Sequence, residues 1–204
     1  MARLPREFYM GDTVETAKSL LGKYLVRRLD GEDIVCRITE TEAYVGRTDK
    51  ACHAYGYRRT PRTEVMFGPP GHAYIYLIYG MHHCLNFVTE PEGEPSAVLL
   101  RGVEILQGID TVSRLRFGKD YGILTPYQRK NLMNGCGKVC KGLSLTKEQN
   151  GIDLTGDTLF LMDSPEDVGL PPAAKEQRSV HSGKRIGIDY AGEAVDFLWR
   201  FYLE

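Results

Sequence analysis

The sequence predicts one mixed α/β (α+β) domain with a largely antiparallel sheet. Three observations carry that expectation. Short runs rich in β-branched and aromatic residues are bounded by glycine, proline and aspartate turns, as strands are. Strands come first, with helical segments around them and no regular strand–helix alternation. The 204 residues fit one domain, or at most two small ones, and no linker or repeat divides them, so 1–204 reads as a single unit.

The elements follow in order. Asp12 or Thr13 can cap a helix in which Val14, Ala17, Leu20 and Leu21 recur at helical spacing until Gly22 stops it. Residues 23–29 read as a strand, 30–33 as a turn, and 34–44 as a second, β-branched strand. A proline-containing turn at 68–71 precedes an unusually aromatic strand at 73–78. Gly80 breaks it, 82–89 returns, 91–95 is a loop, and 97–104 is another apolar strand. Residues 105–117 and 126–141 read as helices, and 159–162, 184–188 and 198–202 as short late strands.

Composition bounds the function. Hydrophobic residues make up 42% and charged residues 26%, ordinary values for a soluble globular chain. The apolar runs fall short of the roughly 18 residues that span a bilayer. The first residues lack the apolar core of a secretory signal. A cytoplasmic protein is expected. Cys36, Cys52, Cys84, Cys136 and Cys140 are odd in number and scattered, which suits reduced thiols better than a disulfide framework. A net charge of −1 and a pI near 6.5 argue against a broadly basic nucleic-acid-binding surface, so any such surface must be a local patch.

Four constellations could carry chemistry. In Arg37-Ile38-Thr39-Glu40-Thr41-Glu42-Ala43-Tyr44, strand alternation puts Glu40, Glu42 and Tyr44 on one face alongside Ile38. A carboxylate beside a ring on a half-buried face gains proton affinity and can act as a general base. It can equally sit on a solvated face or pair with an arginine. Next, Tyr74, Tyr76 and Tyr79 crowd one short segment. Tyr79, at the turn, could wedge into a base stack, and Tyr44 and Tyr76 could wall a planar ligand. Tyrosines also simply pack in strands.

The third constellation, 53–62, interleaves Arg58, Arg59 and Arg62 with tyrosines in a loop punctuated by glycine and proline. That suits phosphate contact or a solvated basic loop. The fourth is Gly135-Cys136-Gly137-Lys138-Val139-Cys140. Its two cysteines give a weak zinc signal, because structural zinc needs four ligands and no second pair is near. His82 and His83 fall on opposite strand faces. The glycines and Lys138 suit a phosphate better.

Read together, RITETEAYVG (37–46), HAYGYRRTPR (53–62), YIYLIYGMHHCLN (74–86) and VLLRGVE (98–104) resemble the alkyladenine (3-methyladenine) DNA glycosylase family, mammalian-type, as found in bacteria. GCGKVC (135–140) and RIGIDYAGE (185–193) add weaker support, and the resemblance runs from about Arg6 to Tyr202. It implies a single compact mixed α/β domain with a curved, largely antiparallel sheet and surrounding helices. It implies Glu42 as general base, with Arg101 and the backbone of Ile186 holding the attacking water. Tyr44, His53, Tyr76, Asn86 and Leu99 would form the pocket for a flipped base, Asn86 screening purine substituents. Tyr79 would fill the vacated stack, and Met81, Arg58, Arg59, Arg62 and Lys138 would meet DNA. Cys136 stands where the family pattern leads us to expect proline.

The implied activity is monofunctional: hydrolysis of the N-glycosidic bond of alkylated or deaminated purines in double-stranded DNA, by a monomer needing no metal or organic cofactor and acting at the nucleoid. Partner-binding tails are not expected. No lysine stands beside Glu42 in its motif, so a Schiff-base lyase step is not expected either. The competing readings are a noncatalytic nucleic-acid-binding module with tyrosine stacking platforms and a thiol- or zinc-dependent hydrolase using Cys136, Cys140 and the histidines.

Overall fold

The structure is a computed structural model, and it describes residues 3–171 and 178–204. Among these, eight antiparallel strands and four α-helices form the mixed α/β fold that the sequence predicts. Helix α1, Thr13–Ser19, is capped by Asp12, whose carboxylate accepts from the Val14 and Glu15 amides. Strands β1 (Tyr24–Leu29), β2 (Glu32–Val45), β3 (Ala73–Ile78), β4 (His82–Thr89), β5 (Ser96–Gln107) and β6 (Leu159–Met162) lie in the order β3-β4-β5-β2-β1-β6. The 14-residue β2 is long enough to be shared. Its first half pairs with β1, and Glu40 to Glu42 pair with β8 (Arg200–Leu203), which carries β7 (Val180–Gly183) on its other edge.

Of three irregularities between β2 and β5, two set the faces of the sheet at the site. Ile38 pairs with Val103, Glu40 with Gly102 and Thr41 with Leu100, so Thr39 and then Arg101 are each one residue out of register. Such bulges flip the alternation. Ile38 therefore lies in the main core with Ala43, Leu85, Phe87, Val98 and Leu100, and not on the face of Glu42 as plain alternation implies. The Arg101 bulge also frees its carbonyl, which accepts from the Gly135 amide at 2.8 Å.

Three sequence expectations need correction. Residues 105–107 extend β5, and α2 (Ile109–Phe117) begins only after Gly108. The single helix expected over 126–141 is two, α3 (Pro126–Lys130) and α4 (Cys136–Gly142). Gly135, at φ 140°, takes a backbone angle that side chains disfavour, and it ends the connecting segment. Residues 184–188 are not a strand. Arg185 is drawn inward by Asp49, and the pairing with β8 is made by Val180–Gly183 instead. No helix among the described residues is long and apolar enough to cross a membrane.

Candidate active site

One row of side chains crosses five strands. Arg200 pairs with Glu42, Glu42 with Leu99, Leu99 with Asn86, and Asn86 with Tyr74. Directly opposed residues share a face, here the face away from the main core. Tyr44 and Tyr76 stand one alternation along on the same side. With His53 from the loop after β2 and Ile186 from the loop after β7, these strands enclose a cavity of about 410 Å³. Tyr44, His53, Tyr76, Tyr79, Asn86, Leu99, Arg101 and Ile186, separated by up to 142 residues, all line it. That volume is typical of a small-molecule site.

Glu42 is fully buried behind this wall and touches three of its residues. The Tyr44 hydroxyl donates to Oε2 at 2.7 Å, the Ile186 amide donates to Oε1 at 2.9 Å, and Arg101 Nε lies 3.5 Å from Oε1. Burial raises the proton affinity of Glu42 above the ordinary glutamate value, and Arg101, Tyr44 and Ile186 offset only part of the effect. Tyr44 is pushed up too, by burial and then by the neighbouring carboxylate. Glu40 meets other surroundings: its Oε1 accepts from Arg200 at 2.5 Å and Arg101 at 3.1 Å.

The His53 Nδ1 and the Tyr74 hydroxyl share a 3.0 Å hydrogen bond, and Arg62 lies 3.5 Å from Nε2. Burial, then the Arg62 charge, lowers the His53 pKa to about 4, so the ring is neutral at pH 7. Its edge meets the Tyr76 ring at 4.6 Å, and the Arg62 guanidinium covers Tyr76 at 5.0 Å. The Asn86 side-chain amide donates to the carbonyls of Tyr74 and Cys84, which turns its oxygen away from them.

The β3–β4 hairpin rises beside the cavity mouth. Tyr79 and Gly80 both have positive φ, 52° and 68°, in a turn closed by the Met81 amide on the Ile78 carbonyl. Tyr79 is 81% exposed and Met81 70% exposed. The turn therefore holds Tyr79 in solvent at a backbone angle that a tyrosine adopts only under constraint.

Among the basic candidates, Arg58 and Arg62 line a second cavity that shares His53 and Tyr190 with the first. Arg59 is exposed but bound to Glu64 through Nε at 2.9 Å and a terminal nitrogen at 2.5 Å. The Lys138 ammonium donates to the side chains of Asn131 and Asn134 and does not reach the cavity. Cys136 lies on the cavity wall, with its sulfur 3.2 Å from that of Cys84, whereas Cys140 is buried in the core.

Two further contributors escape a reading of the sequence. Tyr74 stands with Tyr76 and Tyr79 in the sequence, but the hydrogen bond by which it orients His53 is made only by the fold. Arg185 and Asp49, 136 residues apart, form a fully buried two-pronged ion pair. Arg185 also donates to the Ala43 and Ala194 carbonyls and stacks 4.7 Å from the Tyr44 ring. It fixes the backbone that brings the Ile186 amide to Glu42. Nothing in the local spacing of either residue announces the pair.

The chain as a whole is similar to known proteins. The profile of the family described as methylpurine-DNA glycosylase (MPG) matches residues 7–204. A Clostridium perfringens (strain SM101 / Type A) protein named "Putative 3-methyladenine DNA glycosylase" is 47% identical over 203 residues, covering 99% of this chain and 96% of its own length. A Desulfitobacterium hafniense (strain Y51) protein of the same name is 48% identical over 204 residues, with 100% and 96% covered. A third, from Bacillus thuringiensis (strain Al Hakam), is 50% identical over 200 residues, with 98% and 95% covered. The chain belongs to the methylpurine-DNA glycosylase family and is a DNA-repair hydrolase.

Proposed function

We propose that the protein excises alkylated or deaminated purines from duplex DNA, of the class of 3-methyladenine, 7-methylguanine, hypoxanthine and ethenoadenine, as a monofunctional and monomeric glycosylase acting at the nucleoid. The observation that carries this reading is the buried Glu42 carboxylate, in contact with three residues that line an aromatic cavity. The target nucleotide is extruded, and its base enters between Tyr44, His53 and Tyr76 while Tyr79 fills the gap in the stack. Damage that weakens pairing lowers the cost of extrusion and so contributes selectivity.

The chemistry asks little of the enzyme. An alkylated purine carrying positive charge is already a good leaving group. Glu42 takes a proton from the attacking water and stabilises the oxocarbenium-like sugar, as one carboxylate does in other glycoside hydrolyses. Arg101 favours the ionised form of Glu42 and offsets part of the effect of its burial. The neutral His53 places no cation beside a cationic base. Among the described residues lining the cavity there is no lysine to form a Schiff base, so the product is an intact abasic site.

The test is a gel assay for abasic sites on duplexes each carrying one of the four lesions. Alkali-dependent strand breaks at one or more of them are the expected result. Breaks without alkali would contradict the monofunctional reading, and no breaks at any lesion would contradict the substrate class.

A further inference from the structure

The Cys84 and Cys136 thiols have no part in the reaction proposed above, yet they face each other on the wall of the base cavity with 3.2 Å between sulfurs. Cys84 is on β4 and Cys136 opens α4. Both sulfurs are free and both residues line the cavity, Cys136 partly exposed and Cys84 buried behind it. We infer that Cys84 and Cys136 form a reversible dithiol–disulfide site whose oxidation by a peroxide switches the pocket off.

The step balances with a peroxide as two-electron oxidant. The Cys136 sulfur attacks one peroxide oxygen, the O–O bond breaks, and a sulfenic acid and one water are formed. The Cys84 sulfur then attacks the sulfenic sulfur, the S–S bond forms, and the hydroxyl leaves with the Cys84 proton as a second water. Cys136 suits the first role. The hydrogen bond it accepts from Cys84, and then the nearby Arg101 charge, lower its proton affinity. The same hydrogen bond, and then burial, raise the proton affinity of Cys84 and favour its thiol form.

The coupling to activity is geometric. A disulfide is about 2.05 Å long, so the sulfurs must approach by roughly 1 Å, and at least one of the two side chains must turn on the cavity wall. Tyr76 is the direct cross-strand partner of Cys84. The Arg101 carbonyl holds Gly135, next to Cys136. The bridge therefore reshapes the wall that Cys84 and Cys136 share with Tyr76 and Arg101. A misplacement of that size can cost about 100-fold in rate.

The experiment treats the intact protein with a small excess of hydrogen peroxide, then follows intact mass, non-reducing peptide maps and single-turnover excision. The expected result is a mass loss of two hydrogens, a peptide link between Cys84 and Cys136, and excision reduced about 10- to 100-fold, all reversed by dithiothreitol. Cys136→Ala, compared with its own untreated form, should lose neither the hydrogens nor activity. The link is read without any turnover, so it stands or falls apart from the proposed substrate class. No link, a link from Cys136 to Cys140, or a link that leaves excision unchanged would overturn the proposal, as would a peroxide loss in Cys136→Ala equal to that of the parent.

Discussion

Glu40 and Glu42 stand on the same face of β2, and their surroundings divide the labour between them. Two guanidinium groups satisfy Glu40, whereas Glu42 is buried, with Arg101 at 3.5 Å. With Glu42 as the proposed base, its raised proton affinity should place the acid limb of excision above the range of a free glutamate, near 4.3, because only the ionised form is a base. Removing a nearby cation raises a carboxyl pKa further. Arg101→Gln should therefore move the acid limb of the rate profile to higher pH, and a limb that moves down or stays would contradict this role. His53 runs the other way. Its folded pKa of about 4 lies below the usual 6.5, so its stabilising contribution is complete above about pH 6.5 and is lost as pH falls toward 4. His53→Gln should flatten the fall of Tm over that window. At the hairpin tip, Tyr79→Ala should weaken lesion-DNA binding by about 1–3 kcal/mol, the size of one base–aromatic stack. Equal affinities in a titration would leave Tyr79 without that role. Glu42 and Tyr79 could be singled out as candidates from local chemistry, a carboxylate two residues from a tyrosine and a tyrosine before a turn glycine, whereas Arg101 and His53 were candidates only through the family resemblance.

At the scale of elements, three strands were legible to the residue, and the long β2 and β5 run beyond their expected spans of 34–44 and 97–104. The expected spans 73–78, 82–89 and 159–162 match β3, β4 and β6. The bulges at Thr39 and Arg101 were not, since register depends on the partner strand and not on one segment's pattern. They decide which side Ile38 faces and where α4 docks. Residues 184–188, expected as a strand, form a loop for a related reason. Its apolar residues alternate like a strand, but Arg185 is committed to Asp49 and Gly187 adopts φ 77°. Breaking a buried pair by removing one partner costs about 3–5 kcal/mol. Asp49→Ala should lose stability of that order in denaturant unfolding, leaving the Arg185 charge buried alone. A loss under about 1 kcal/mol, the range of an exposed pair, would show that the clamp is not what holds this loop.

The molecule as a whole carries a net charge of −1, so attraction to DNA must be local. The structure narrows the candidates that the sequence could only group. Arg58 and Arg62 border the cavity next to the base pocket, Glu64 neutralises Arg59, and asparagine side chains occupy Lys138. Each phosphate contact releases counterions and steepens the dependence of affinity on salt. Arg58→Ala should lower that slope by about one unit and weaken damaged and undamaged duplex alike, since phosphate contacts carry no base information. An unchanged slope would remove Arg58 from the interface. Glu64→Gln should strengthen binding by releasing Arg59, and weaker binding would show that Arg59 works only as part of the pair.

The claim on which the rest depends is that Glu42 activates the water. The most direct measurement is single-turnover excision by Glu42→Gln on the duplex that the parent cleaves fastest, with the affinity for that duplex measured in parallel. The account predicts a rate at least about 100-fold lower, the smallest loss expected for a positioned general base, with affinity within a few-fold of the parent. A variant that excises at nearly the parental rate while binding normally would contradict it.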